Sequence, residues 1–205
     1  MSETAAKKKG HFTWQDYRSW PDDERWEIID GEAFAMTPGP STRHQRIQGE
    51  LSRQFGNHFN DRKREFFPAP TDVKLSEENL VQPDLLIVCD EEKIQPSHIE
   101  GAPTLVVEIL SPTSIMHDRL RKMELYGRFG VMEVWLVTPY PWLVEIFVLD
   151  GERYRLQGTY SKEDTFRSPT FPDLEVDLVP VFDFPIDPDE RINMVKEGRP
   201  GYGSS

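Results

Sequence analysis

Apolar and polar residues alternate along this chain with two periods, one typical of strands and one typical of helices. Residues 13–20 predict a short helix with Thr13 as the N-cap and Asp16 as the acidic residue three positions later. Residues 26–36 predict a β-hairpin, because two apolar runs flank Asp30-Gly31, a pair typical of tight two-residue turns. The chain is therefore expected to open with a helix and a hairpin.

The rest of the pattern predicts two longer helices between buried strands. The first helix is predicted to begin at Ser41 or Thr42 and to end near Asn60, because apolar positions and two histidines share one face: His44, Ile47, Leu51, Phe55 and His58. The second helix is predicted over residues 114–129. Strands are predicted at about 66–75, 81–89, 104–110, 133–137, 143–149 and 153–156. This order predicts an α/β fold, a mixed β-sheet flanked by helices with N-terminal hairpin additions.

The chain length of 205 residues suits one compact domain. Residues 1–10 are predicted to be a disordered leader, residues 11–185 a single domain, and residues 186–205 an acidic-to-glycine-rich tail. Near the end of the domain, four apolar side chains are expected to wrap the core: Phe171, Leu174, Val176 and Leu178.

Composition narrows the classes of function. The single cysteine, Cys89, excludes an internal disulfide framework and a multi-cysteine zinc site. No apolar stretch approaches the ~20 residues that span a bilayer, and no apolar region follows the N-terminal lysines as it would in a secretory signal. We therefore expect a soluble, cytoplasmic protein with no membrane partner.

The net charge of −12 argues against a nucleic-acid partner, but the distribution of charge weakens that argument. Residues 41–65 contain six basic and three acidic side chains, and residues 118–128 contain four and two. Residues 173–190 contain seven acidic side chains and no basic one. Ordinary solvated faces give the same pattern, so charge alone leaves DNA binding open.

Two carboxylates stand in strands that are otherwise almost wholly apolar. Asp84 precedes the run Leu-Leu-Ile-Val, and Glu108 lies 24 positions later within Leu-Val-Val-Glu-Ile-Leu. Glu108 shares its strand face with Val106 and Leu110, and an unpaired carboxylate buried there is very costly. A divalent metal shared by Asp84 and Glu108 would satisfy both. The alternative is that each carboxylate caps a local turn or pairs with an arginine.

Lys122 is the third unusual charge. At 100° per residue it falls inside the apolar arc of the second helix, between Tyr126 and Phe129. Burying a lysine beside carboxylates costs desolvation free energy, so such a lysine is expected to have a function. It could also snorkel to solvent or form one structural salt bridge, with Glu108 or Asp118.

These residues and several motifs occur in the order found in the Uma-two family, which the chain resembles from roughly Phe12 to Tyr154. That family is assigned to the restriction endonucleases of the PD-(D/E)XK nuclease superfamily. The resemblance rests on Asp30-Gly31-Glu32, the 38–40 loop before His44, Pro83-Asp84, residues 107–112, Lys122, Tyr126 and residues 130–137. It implies a restriction-endonuclease-like core.

The resemblance also implies roles for particular residues. Asp84 and Glu108 would hold Mg²⁺ (or Mn²⁺), with the backbone carbonyl of Ile109 as a further ligand. The chain departs from the parent motif at Leu110, where a lysine is expected, and Lys122 matches family members in which the following helix supplies that lysine. It would orient the attacking water or stabilise transition-state charge.

Two residues on the first long helix are weaker candidates. His44, on the inward face, could approach the site as a catalytic residue, although a histidine there is also a common core residue. Glu50, at the edge of the apolar face, is a further candidate metal ligand.

The function expected from these observations is a Mg²⁺-dependent DNA endonuclease of unknown target, with a homodimer as a plausible cutting unit. The alternative is a catalytically weak or inactive module of nuclease fold that binds nucleic acid or another partner. The net acidity and the leucine at position 110 keep that alternative open.

Overall fold

The computed structural model describes residues 7–8, 10–21, 24–36, 41–59, 63–110 and 117–185. Its helices are α1 (Trp14–Tyr17), α2 (Thr42–His58), α3 (His117–Phe129) and α4 (Leu178–Val181). Its strands, in chain order, are β1 (Lys7–Lys8), β2 (Trp26–Ile29), β3 (Glu32–Ala35), β4 (Glu65–Pro68), β5 (Val73–Ser76), β6 (Asn79–Val81), β7 (Leu85–Val88), β8 (Ile99–Glu100), β9 (Leu105–Ile109), β10 (Glu133–Thr138), β11 (Leu143–Asp150), β12 (Arg153–Ser161), β13 (Thr165–Arg167) and β14 (Glu175–Asp177).

The first elements form where the sequence predicts them. Helix α1 begins with a capping box, in which Thr13 and Asp16 satisfy each other's backbone N–H groups. Strands β2 and β3 form the predicted hairpin. Its turn residues, Asp30 (φ 50°) and Gly31 (φ 76°), both have the left-handed backbone that a two-residue turn of this kind requires.

The long helix α2 is also confirmed. The Ser41 side chain accepts the His44 N–H and caps its N-terminus, and the helix ends two residues before the predicted Asn60. Its apolar residues Ile47, Leu51 and Phe55 are buried as the three- and four-residue spacing predicts.

The strands form two six-stranded sheets and a short two-stranded one. The N-terminal sheet has the order β1-β3-β2-β6-β5-β8, and the central sheet has the order β12-β11-β10-β9-β7-β4. Strands β9 and β10 are parallel and the other pairs of the central sheet are antiparallel, so this sheet is mixed. The predicted fold class is confirmed.

The prediction is wrong for two segments, because each is predicted as one strand and forms two. Residues 66–75 divide into β4 and β5, and residues 81–89 divide into β6 and β7, so each segment contributes to both sheets. Prolines lie at both breaks, at Pro70 and Pro83, and a proline has no N–H to donate to a strand ladder.

The central sheet is covered on both faces. Helix α2, α4 and the C-terminal hairpin cover one face, where Phe171, Leu174, Val176 and Leu178 are buried as predicted. Helix α3 and the N-terminal sheet cover the other face, where Tyr126 packs with Val106 and Leu110. Strand β9 therefore sends alternate side chains into two separate cores.

The structure describes part of the predicted leader and none of the predicted tail. Lys7 and Lys8 pair with Phe34 and Ala33 of β3, so the predicted disordered leader is wrong at these two residues. Residues 1–6 and the tail from 186 to 205 lie outside the described part of the chain. Among the residues that the structure describes, no helix is both long and apolar enough to cross a membrane.

Candidate active site

Asp84 and Glu108 lie close together at the ends of two adjacent strands. Leu85 of β7 lies opposite Val107 of β9 in an antiparallel pair; Asp84 directly precedes Leu85, and Glu108 directly follows Val107. The two carboxylates are near enough for the charge of Asp84 to raise the pKa of Glu108. In addition, the Ile109 N–H donates a 2.6 Å hydrogen bond to Asp84 Oδ2. The sheet thus brings the two predicted carboxylates together.

Glu108 is buried, and two polar side chains of helix α3 contact its carboxylate. It is 9% exposed, and its Oε1 accepts a 2.5 Å hydrogen bond from the Tyr126 hydroxyl. Lys122 Nζ lies 3.3 Å from each Glu108 oxygen. Burial raises the pKa of Glu108 above its usual value; Lys122 opposes the rise, while the nearby carboxylates of Asp84 and Glu27 add to it. Negative charge is therefore in excess around Glu108.

Lys122 points inward, as its place on the helix predicts, and its side chain is 13% exposed. Its ammonium lies 2.7 Å from Glu27 Oε1, nearer than to Glu108. Burial alone lowers the pKa of Lys122, but the Glu108 and Glu27 carboxylates outweigh burial and raise it. The lysine is therefore a charged group held between two carboxylates. The side chain of Asp118, the other pairing partner considered, lies outside the described residues.

His44 contacts Asp84 from helix α2, which covers the face of the central sheet opposite to α3. His44 Nε2 lies 3.0 Å from Asp84 Oδ1, and the His44 side chain is 15% exposed. Its Nδ1 is buried, with no hydrogen-bond partner in the described part of the chain. One turn further along α2, Gln48 Nε2 donates a 2.9 Å hydrogen bond to the Asp84 backbone carbonyl. Helix α2 thereby fixes both the backbone and the side chain of Asp84.

Glu50 does not join this group through any described contact. Its carboxylate accepts hydrogen bonds from Arg53 Nε at 2.9 Å and Arg53 Nη2 at 2.5 Å, and a longer one from Gln54. These bonds, with Arg53 first, lower the pKa of Glu50. The structure therefore gives Glu50 a role within α2 and does not support it as a metal ligand.

Sequence reasoning missed two residues of this cluster, Glu27 and Gln82. Glu27 is 8% exposed, and besides Lys122 it accepts a 3.1 Å hydrogen bond from the Gln82 backbone N–H. Glu27 shares its face of strand β2 with the buried Ile29, so the argument that singled out Glu108 would have found it. Gln82, in contrast, carries no charge and leaves no comparable signal.

The donor set fits Mg²⁺ bound partly by substrate and water. Within the described ranges, no group of three or more histidine, cysteine or acidic side chains is arranged to hold a metal. Mg²⁺ does not need such a cage, because it commonly uses one or two carboxylates and keeps waters or phosphate oxygens as its other ligands. The three neighbouring carboxylates of Asp84, Glu108 and Glu27 outnumber the single ammonium of Lys122, so a further cation would be favoured beside Asp84 and Glu108.

Comparisons with known proteins concern the family and the fold of this chain. The profile of the Uma2 (Uma-two) family, described as "Putative restriction endonuclease", matches residues 14–180. Among solved structures, a "putative nuclease belonging to DUF820" from Anabaena variabilis superposes with a TM-score of 0.67 at 18% identity, covering 83% of this chain and 97% of that one. That likeness establishes the fold.

Two relatives in Synechocystis sp. are similar in sequence. The uncharacterized protein slr1290 is 29% identical over 127 residues, which are 60% of this chain and 66% of that protein. The uncharacterized protein sll1609 is 27% identical over 138 residues, 66% of this chain and 74% of that protein. The chain thus matches just under two thirds of the first relative.

Proposed function

Because this chain belongs to the Uma2 family, we propose that it is a Mg²⁺-dependent nuclease that hydrolyses phosphodiester bonds in DNA. One observation carries the proposal: the Asp84 and Glu108 carboxylates lie close together at adjacent strand ends, with the Lys122 ammonium 3.3 Å from Glu108. Paired carboxylates with a neighbouring lysine provide a cation site and a charge-stabilising group, which hydrolysis of a phosphodiester needs.

The carboxylates of Asp84 and Glu108, with the backbone carbonyl of Ile109, are the groups that would hold the metal. When bound, Mg²⁺ (or Mn²⁺) would polarise the scissile phosphate and lower the pKa of the attacking water. The Ile109 N–H orients Asp84 through its 2.6 Å hydrogen bond, and the Tyr126 hydroxyl orients Glu108. Both carboxylates are therefore fixed before any ligand arrives.

Lys122 supplies a permanent positive charge at this site. Its raised pKa keeps the ammonium protonated, so it can donate hydrogen bonds to the attacking water or to a phosphate oxygen as negative charge grows there. Position 110, where the parent motif has a lysine, carries a buried leucine. We assign the missing role to Lys122.

His44 orients Asp84 from the other face. With its proton on Nε2, the ring donates to Asp84 Oδ1, and its buried Nδ1 is then a free acceptor. In this proposal His44 is accordingly a residue that orients Asp84, and Lys122 is the residue that supplies positive charge.

A matched pair of buried glutamates tests the proposal. Glu108→Gln should abolish Mg²⁺-dependent cutting of supercoiled and single-stranded DNA, because it removes a ligand charge. Glu133→Gln is the control, since Glu133 is also buried in a strand of the central sheet but accepts hydrogen bonds from Trp135, Ser168 and Thr170. The control should keep the wild-type rate.

The outcomes are distinct. A chelator should stop the wild-type reaction, and Mn²⁺ should restore it. If Glu108→Gln cuts as fast as Glu133→Gln, or if cutting survives the chelator, the proposed function is wrong.

A binding module is the second candidate, favoured by the leucine at position 110 and by the two carboxylates that already neutralise Lys122. A module would bind DNA without cutting it under any metal condition. Gel-shift and cleavage assays on the same samples separate the two functions.

A further inference from the structure

We propose that Glu27 is a positioning residue that anchors Lys122 beside Glu108, an inference that rests on the proposed nuclease function. The shortest contact of the Lys122 ammonium is with Glu27 Oε1, at 2.7 Å, against 3.3 Å to Glu108. Glu27 therefore determines where the ammonium lies, and Glu108 is its more distant neighbour.

The anchor is itself rigid. Glu27 Oε1 accepts the Gln82 backbone N–H at 3.1 Å, only two residues before Asp84 in the chain. The Gln82 side chain accepts hydrogen bonds from Arg25 at 3.0 and 2.8 Å and donates one to Asp72 at 2.6 Å. One carboxylate oxygen thus links the lysine to the backbone segment that leads into Asp84.

A lysine delivered from a helix needs such an anchor. The Lys122 stem is long and flexible, and fixing it in one position costs side-chain entropy. If Glu108 were its single partner, the ammonium would form its ion pair with the oxygens that the metal requires. Because Lys122 pairs with Glu27, its charge stays close to Glu108. The Glu108 oxygens then make only the longer, weaker contact with the ammonium.

This role gives the N-terminal sheet a function in the site. Glu27 lies on β2 of the N-terminal sheet, whereas Glu108 lies in β9 of the central sheet and Asp84 directly precedes β7 of the same sheet. Tyr126, one helical turn after Lys122, packs in the core between the two sheets. The lysine thus extends from α3 into the boundary between the sheets and is held there from the N-terminal side.

The test is a double-mutant cycle on the single-turnover cleavage rate at saturating Mg²⁺. Glu27→Gln keeps the size and acceptor oxygen but removes the charge, and it should slow cleavage about 10-fold or more. Lys122→Met should slow it about 100-fold. If Glu27 acts through Lys122, the double variant should be no slower than Lys122→Met.

The matched control is the ion pair of Lys74 with Glu77, which has the same 2.7 Å distance and lies in the N-terminal sheet region. Glu77→Gln, Lys74→Met and their double variant should all cut at the wild-type rate. The inference is overturned if Glu27→Gln cleaves DNA at the wild-type rate. It is also overturned if Glu27→Gln still slows cleavage about 10-fold when it is added to Lys122→Met.

A second readout does not need cleavage. The Lys122 ammonium protons, held by Glu27, should give a slowly exchanging NMR signal that Glu27→Gln shifts or abolishes and Glu77→Gln leaves unchanged. Wild-type protein that never cuts DNA refutes the proposed function, and this signal then still decides whether Glu27 anchors the lysine. An unchanged signal in Glu27→Gln overturns the inference.

Discussion

The side chains of the candidate site are charged groups that stabilise one another away from water. One ammonium, Lys122, lies between the buried carboxylates of Glu27 and Glu108. Removing one partner of a buried ion pair leaves an uncompensated charge and costs about 3–5 kcal/mol. Substituting Lys122 should therefore affect the fold as well as the chemistry.

We predict that Lys122→Met lowers the free energy of unfolding by about 3 kcal/mol or more at pH 8, and by less at pH 5. Burial and the other carboxylates already hold the folded-state pKa of Glu108 above its unfolded value, and losing the lysine raises it further. A raised carboxyl pKa gives stability that is present below the unfolded pKa and is lost as pH rises through the folded one.

Urea unfolding at the two pH values measures this difference. Lys74→Met is the control, because its partners Glu77 and Glu100 are half exposed and hydrated when unpaired. An equal loss for both variants, or a Lys122→Met loss that grows toward acid pH, would contradict the prediction.

The sequence identifies buried charges more readily than it identifies their roles. Asp84, Glu108 and Lys122 are all visible because each interrupts an apolar face, and the structure brings the three together. Glu133 interrupts its strand in the same way, yet its carboxylate is saturated by Trp135 Nε1, Ser168 Oγ and the Thr170 N–H. Only the fold shows which buried carboxylate has a charged neighbour and which has neutral donors.

At the scale of elements, helices are the better predicted part of this chain. The spacing of Ile47, Leu51 and Phe55 and the Ser41 cap are local features, and they fix α2 within two residues. Residues 66–75 and 81–89 look like single strands because their apolar runs are nearly continuous. Which sheet each half enters depends on distant partners, and this information is not local.

The C-terminal element packs on α2, away from the face that α3 covers. Phe182 is fully buried and Phe184 is 8% exposed, with Arg43 of α2 over the Phe184 ring. We predict that truncation after Val181 lowers stability by several kcal/mol, since a fully buried phenylalanine alone contributes about 3–5 kcal/mol. DNA affinity should change much less.

A truncation after Pro185 is the control. It retains both rings and removes residues 186–205, which hold four acidic and three basic side chains, so it separates the packing of the rings from the rest of the tail. Chemical unfolding and DNA titrations of both truncated chains give the comparison. A large gain in DNA affinity without loss of stability would show that the acidic end covers the site.

At the scale of the whole molecule, the site forms where two sheets and two helices converge. The central sheet supplies Asp84 and Glu108, α3 supplies Lys122, α2 supplies His44, and the N-terminal sheet supplies Glu27. A mixed α/β fold was predictable from the order of elements. The division into two sheets was not, because it follows from pairings such as that of Ile28 with Leu80, which are far apart in sequence.

The central claim is that Asp84 and Glu108 together hold a divalent cation, and anomalous X-ray scattering from crystals grown with Mn²⁺ tests it most directly. We predict one strong anomalous peak in contact with a carboxylate oxygen of each residue, at roughly 2.0–2.3 Å, and its loss in Asp84→Ala crystals grown in the same way. A structure at saturating Mn²⁺ with no peak between these carboxylates, and with Lys122 still the cation nearest to Glu108, would contradict the account.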